Sequence, residues 1–205
     1  MTLSTPKVLQ ILAGVVLFSH SASAVSIITL DFEGFPDSTS LTTQYPGLTF
    51  TDATVITAGI SLNELEFPPH SGSNVAFDDG GPIFIQFSHP TDLFDGYFTY
   101  TVPLTILAFD ASSTQVASAV SSFSSNLALS GDAGSSPNEL LSVTFLGGIS
   151  SVTISGDPAG GSFVMDDVTY TTAVPEPRSS VGICLVILFL VICLKQKCLT
   201  LELSS

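Results

Sequence analysis

Ile83-Phe-Ile-Gln-Phe87 and, after a five-residue break, Leu93-Phe-Asp-Gly-Tyr-Phe-Thr-Tyr-Thr101 are the segments whose reading decides the fold. In both, apolar residues recur at every second position, which is the period of a strand with one buried face. The break between them carries His89-Pro90, and proline cannot donate to a ladder. Read outward from here, the chain keeps the same texture. The sequence predicts strands over Ile27–Glu33, Leu48–Thr51, Thr54–Ala58, Asn74–Phe77, Ile83–Phe87 and Leu93–Thr101. Further strands are expected over Leu104–Asp110, Gln115–Ser121, Asn126–Ser130, Leu140–Leu146, Val152–Ser155 and Phe163–Thr171. Gly, Pro, Asp, Asn and Ser separate them, no ten-residue stretch has helical periodicity, and no internal repeat is present. About a dozen short strands at this spacing predict an all-β sandwich of jelly-roll type. Leu93–Thr101 and Leu104–Asp110 read as a hairpin, with Pro103 at the edge of the second strand.

This domain spans residues 25–173, about 149 residues, enough for a single core. Thirteen of the chain's fifteen phenylalanines lie in it, several at alternating positions (Phe84, Phe87, Phe94, Phe98, Phe109, Phe145, Phe163). They read as core rather than as a sugar platform, because Phe lacks the polar tip that wet binding faces use. There is no Trp, so Tyr45, Tyr97, Tyr100 and Tyr170 are the candidates for stacking on a sugar. All four basic residues (Lys7, Arg178, Lys195, Lys197) lie outside the domain, and sixteen of the eighteen acids lie inside it. A charge of about −16 with no cation excludes nucleic acid as a partner, since nothing could neutralise phosphates. It also gives the domain a reason to recruit a divalent cation. Cys184, Cys193 and Cys198 all fall beyond it, so it can form no disulfide.

Both ends of the chain carry targeting features. Lys7, the apolar run Val8–Phe18 and the small-residue site Ala22-Ser-Ala24 have the layout of a signal peptide over residues 1–24. The mature chain should then begin at Val25. Near the other end, Val174-Pro-Glu-Pro177 precedes an apolar run from Val181 to Leu194 and then Lys195-Gln-Lys197. At about 1.5 Å per residue the run reaches about 21 Å, short of the roughly 30 Å hydrocarbon core. Counting from Ser179 and letting Lys195 and Lys197 snorkel closes part of that gap. A transmembrane helix over about 179–194 is expected, with the lysines inside and the bulk of the protein outside. An eight-residue tail, 198–205, follows.

Val174, Pro175, Glu176 and Pro177, a short hydrophobic helix and terminal basic residues together resemble the PEP-CTERM sorting signal of exported bacterial proteins, also labelled an ice-binding protein C-terminal domain. The resemblance covers about thirty residues (174–197 with its flanks), and its three-part order makes it specific. It departs from the family in having Lys-Gln-Lys for the usual arginine cluster, and in the added tail. It implies an integral-membrane exosortase as partner, cutting near the motif and passing the protein to the cell surface or extracellular matrix. It further implies association with exopolysaccharide and biofilm.

Two acid pairs frame the domain. Asp31-Phe-Glu33 places two carboxylates on one face of the first predicted strand, and Met165-Asp-Asp-Val168 places Asp166 and Asp167 on opposite faces of the last. If those strands are neighbours, three carboxylates could converge as a hard oxygen site for Ca²⁺; otherwise they are solvated strand acids. The pairing resembles jelly rolls of the carbohydrate-binding and MAM type, which open on Asp/Glu-x-Glu and close on apolar-Asp-Asp-apolar around a structural cation. That resemblance implies Asp166 rather than Asp167 as the ligand.

An enzyme is not expected. His70 and His89 are the domain's two histidines, both beside proline, and no nucleophile-elbow pattern is present. Glu64, Glu66 and His70 could form a glycosidase-like or metal cluster, but the proline- and glycine-set loop 59–73 accounts for them. Asp78-Asp-Gly-Gly81 reads as a turn. Two functions follow: a non-catalytic surface or matrix module, or a calcium-stabilised carbohydrate-binding module. Stacking tyrosines on one exposed sheet face would favour the second.

Overall fold

A computed structural model describes residues 24–174, and these form one compact unit. The expected signal segment up to Ser23, Pro175–Pro177, the helix over 179–194, Lys195, Lys197 and the tail lie outside the described residues. Among the described residues no helix is long and apolar enough to cross a membrane, and every regular element is a strand.

Ten antiparallel strands form a sandwich: β1 (Ala24–Leu30), β2 (Thr39–Leu41), β3 (Leu48–Thr51), β4 (Ala53–Thr57) and β5 (Asn74–Asp78). There follow β6 (Ile83–Tyr100), β7 (Thr105–Phe109), β8 (Gln115–Val120), β9 (Glu139–Ser155) and β10 (Phe163–Val174). The two segments around His89-Pro90 are one strand of eighteen residues with two sets of neighbours. Its first half, Ile83–Gln86, lies between β3 and the end of β9; its second half, Leu93–Phe98, lies between β10 and the start of β9. β6 and β9 therefore run through both layers, and each bends where its register breaks.

A change of parity makes the bend possible. In the first half the buried residues are Ile83, Ile85, Phe87 and then Thr91; in the second the buried large apolar side chains are Phe94, Phe98 and Tyr100, while Thr99, also buried, is of the other parity and bonds Asn138. One extra residue separates the two series, so both halves of a strand that turns a corner face the same core. Thr91, fully buried, fills the break. Its hydroxyl accepts from the Thr171 N–H (2.9 Å), donates to the Leu93 carbonyl (2.7 Å) and meets the Thr171 hydroxyl (2.9 Å). Pro90 costs nothing here, because no ladder partner asks for its N–H. In β9 the matching corner is Gly147-Gly148; Gly148 has φ +93°, and a Cβ there would come within 2.8 Å of Pro90.

The core is rich in phenylalanine, as the alternation implies. Phe87 packs on Phe94 and Tyr170 across the layers, and Phe98 packs on Phe163. Phe32, Phe50, Phe87, Phe94, Phe98 and Phe163 are buried, each worth about 1.5–3 kcal/mol of transfer free energy.

Several expectations are corrected. Leu93–Thr101 and Leu104–Asp110 do not pair as a hairpin: the chain changes layers between them, and β7 pairs with β8 and β9. Asn126–Ser130 is a turn. The Asn126 amide there imitates a strand, accepting from the Tyr100 N–H (2.7 Å) and donating to the Phe98 carbonyl (2.8 Å). The first strand ends at Leu30 rather than Glu33, because Phe32 adopts φ +59°. The three-residue strand β2 was too short to show as alternation.

Thr91→Val keeps the shape and removes the hydroxyl, leaving the Thr171 N–H without its acceptor. We expect a loss of about 1–3 kcal/mol in chemical denaturation, whereas Thr144→Val, exposed on β9, should be near neutral. Equal effects of the two would mean that Thr91 does not hold the corner.

Candidate functional site

β10 has β6 along one edge. Along the other it meets β5 at Val164–Met165 and then β1 from Val168 to Val174. Asp166 and Asp167 sit in the gap between those two neighbours. The ladder with β6 pairs Asp166 with Tyr97 and resumes at Thr169 with Asp95, so Asp167 and Val168 together oppose Gly96. This is a bulge, and Asp167 takes φ +44° in it.

The bulge overturns the expectation that the two acids point to opposite faces, since both address the same turn. Asp166 Oδ2 accepts from the His70 and Ser71 N–H groups (2.8 and 2.9 Å), and its Oδ1 accepts from the Asp167 N–H (2.7 Å). Asp167 Oδ1 accepts from the Ser71 hydroxyl (2.9 Å), and Oδ2 meets His70 Nδ1 at 2.6 Å. His70 in turn lies flat on Tyr97, with ring centroids 3.5 Å apart and planes 8° from parallel.

Glu33 completes the clasp from the other side. Its Oε1 accepts from the Ser73 and Asn74 N–H groups (2.6 and 2.7 Å). Gly72, at φ +55°, is what lets this carboxylate approach, because a Cβ would lie 2.2 Å from Oε1. The buried Asn74 amide donates to the Phe32 and Phe35 carbonyls (3.0 and 2.9 Å). Side-chain oxygens thus replace the strand that is missing between β5 and β1. Asp31, by contrast, is exposed and accepts locally from the Glu33 N–H (3.2 Å). The expectation that Asp31 and Glu33 share a strand face fails, because both lie in the turn that follows Leu30.

Glu33, Asp166 and Asp167 therefore hold the segment His70–Asn74 between them, the first two through backbone N–H and Asp167 through side chains, while Asp31 makes only its local bond. Among the described residues no group of three His, Cys, Asp or Glu is placed to hold a metal ion. The charges of Asp31 and Asp166 nonetheless both reach the Tyr45 hydroxyl. Burial first, and those two charges after it, push Tyr45 up to about 12. Asp166 is itself pushed up to about 6 by burial, which outweighs the three N–H donors.

The other singled-out residues serve loops. Glu64 accepts from the Gly59 N–H (3.2 Å), and Glu66 from those of Leu129 and Ser130 (3.1 and 3.2 Å). His70 is engaged with Tyr97 and Asp167, so Glu64, Glu66 and His70 are each committed to different contacts. His89 is exposed beside Ser88, whose hydroxyl is 3.1 Å from Nδ1. Asp78 is the buried end of β5, and it accepts from the Ser162 and Phe163 N–H groups and from the Ser162 hydroxyl. Its partners give Asp78 a structural role that reading the segment as a turn missed. The signal was a polar residue at an inward position of a strand.

Each tyrosine packs on side chains of the protein itself, Tyr45 while also lining a groove. Tyr45 packs edge-on against Phe32 and Phe35, Tyr100 is buried with its hydroxyl on Glu139, Tyr170 packs on Phe87, and Tyr97 carries His70. A separate groove of about 410 Å³ lies beside β3 and the start of β6. Thr43, Tyr45, Thr49, Gln86 and Ser88 supply its polar lining, and no lining residue is charged.

No family model and no curated protein matches the chain. Among solved structures it is similar to the K2 cleaved adhesin domain of Lys-gingipain, at 14% identity and TM-score 0.47, over 72% of this chain and 100% of that one. It is also similar to a mutant family 29 carbohydrate-binding module, at 9% identity and TM-score 0.39, over 76% of this chain and 100% of that one. A DUF4465 family protein from Bacteroides caccae is matched at 11% identity and TM-score 0.42, over 73% and 100%.

Because Asp166 binds its proton more tightly folded than unfolded, its contribution is complete below about pH 4 and is lost as pH rises through about 6. Burial raises Asp78 and Asp95 as well, with the same sign. The melting temperature should therefore be higher at pH 5 than at pH 7, and Asp166→Asn should flatten that difference. A variant keeping the wild-type slope would assign the effect to the other acids.

Proposed function

We propose that the chain is an exported, non-catalytic, jelly-roll-like β-sandwich, sorted by an exosortase-type membrane enzyme to the cell surface or matrix, where it associates with exopolysaccharide. The observation that carries the non-catalytic part is the commitment of the polar side chains. His70, Glu33, Glu64, Glu66, Asp78, Asp166 and Asp167 all hold backbone or neighbouring side chains in place. Sorting rests on Lys7 and Val8–Phe18, on the Ala22/Ala24 site before Val25, and on Val174-Pro-Glu-Pro177 with Lys195 and Lys197 beyond the apolar run. The ladder supports it: Ala24 pairs with Val174, so the expected cleavage site and the start of the motif lie side by side at one end of the sandwich. In a host carrying an exosortase, mass spectrometry should find the C-terminus near Pro177. Pro175→Ala with Pro177→Ala should leave residues 178–205 attached; their retention in the wild type as well would remove the sorting reading.

The groove favours a second reading, a calcium-stabilised carbohydrate-binding module. An uncharged cleft with hydroxyl, amide and tyrosyl lining, in a domain with sixteen acids, suits a neutral polyhydroxylated ligand. Calcium would act at the other face of Tyr45, by offsetting the charges of Asp31 and Asp166 that bear on that side chain. Millimolar calcium should raise the melting temperature of the wild type but not of Asp31→Asn, and Gln86→Ala should lower retention on a glycan array. Equal calcium shifts in both proteins would mean charge screening without a site.

A further inference from the structure

We propose that strand β1 is a self-association edge, through which two copies of this chain join their sheets. Among the described residues β1 has a neighbour on one side only, β10. Its register is unbroken over seven residues, and Ala24-Val-Ser-Ile-Ile-Thr-Leu30 contains no charge and no proline. Proteins ordinarily blunt such an edge with charge, proline, a bulge or a covering loop. The other edges here are treated in that way: β2 is three residues long, β3 is covered by the Phe50 N–H bond to the Thr42 carbonyl, and β8 carries a register break opposite Ala108/Phe109.

The direction of the free groups follows from the ladder. The Thr171 N–H points to Thr91 on β6. Its partner across β10–β1 is Ile27, so Ile27 must turn its own N–H and C=O away from β10, and by alternation Val25 and Thr29 do the same. The edge therefore presents three N–H and three C=O groups. A two-fold axis at Ile27 sets Ile27 against the partner's Ile27, and Val25 against the partner's Thr29. Each copy donates three bonds and accepts three, six in all, and opposed residues share a face. Val25 and Ile27 are 60% and 68% exposed, and this contact sets each beside an uncharged side chain of the second copy.

Charge selects a second copy docked here over any other approach of two copies. Each domain carries sixteen acids and no Lys or Arg, so most surfaces of two copies repel, whereas this strip contains no acid. The contact does not depend on the sorting reading. If the chain is cut after Ala24, the new ammonium of Val25 adds a positive charge at the end of the strip nearest Asp31 of the partner subunit.

The test is sedimentation velocity on the purified full chain in mild detergent, in about 1 M salt, where charges are screened beyond about 3 Å. Wild type should form dimers as concentration rises through the micromolar range. Ile27→Pro removes only an outward N–H and should give monomers, as should Ile27→Lys; Val120→Lys on β8 should leave the dimer unchanged. With Cys184, Cys193 and Cys198 changed to Ser, Ile27→Cys should cross-link to itself on mild oxidation and Ile28→Cys should not. Dimers that survive both Ile27 variants, or a wild type monomeric throughout, would overturn the proposal.

Discussion

A strand that passes from one layer of a sandwich to the other does so through a bend or a bulge, and where a residue is inserted the inward-facing set shifts by one position. β6 does so at Thr91. The added residue leaves backbone groups without ladder partners in the middle of the core, and a single buried hydroxyl takes them up. With the parity reset, Phe87 and Phe94 belong to different layers and still touch, and the aromatic core closes across the corner. β9 makes the same turn at Gly147-Gly148, where the absence of a side chain lets Pro90 pack against the backbone. The arrangement of β3, β7, β8 and β10 follows from where these two long strands bend.

The fold class was legible because alternation survives wherever a strand has one buried face. What alternation cannot report is the partner. Leu93–Thr101 and Leu104–Asp110 look like a hairpin in sequence, yet they lie in different layers because the chain crosses between them. Nor can it report a break in parity that polar groups repair, which is why β6 reads as two strands. The acids at 166 and 167 failed for the same reason: period-two logic sends them to opposite faces, and the bulge brings both to Ser71. The Phe-rich core was legible because burial and alternation point the same way.

The charge of the domain has a use that composition hides. Sixteen acids without Lys or Arg suggest a self-repelling body in need of counter-ions. In the fold, Glu33, Glu66, Asp78, Asp110, Asp132 and Asp166 each accept two or more backbone N–H groups, and Asp37 and Glu139 accept one. Long connections have few ladder bonds of their own, and an ionised carboxylate is the strongest acceptor a side chain offers their N–H groups. The loop from Gly59 to Ser73 is held in this way at both ends and over Leu62 and Phe67, which pack with Val75 and Val164. Acidity here is partly a means of ordering loops.

These strands also fix how a load would pass through the domain. β10 is flanked by β6 on one side and by β5 and then β1 on the other, and its last residue, Val174, pairs with Ala24. A pull applied at Val174 runs along β10 and shears the ladders on both sides. Bonds loaded in shear share the force and must fail together, whereas a strand peeled from one end gives way one bond at a time. β1 supplies the shared ladder nearest the point of loading. Among the described residues β1 therefore does two things at once: its seven-residue ladder holds the end of β10 in place, and its other side is an uncharged edge.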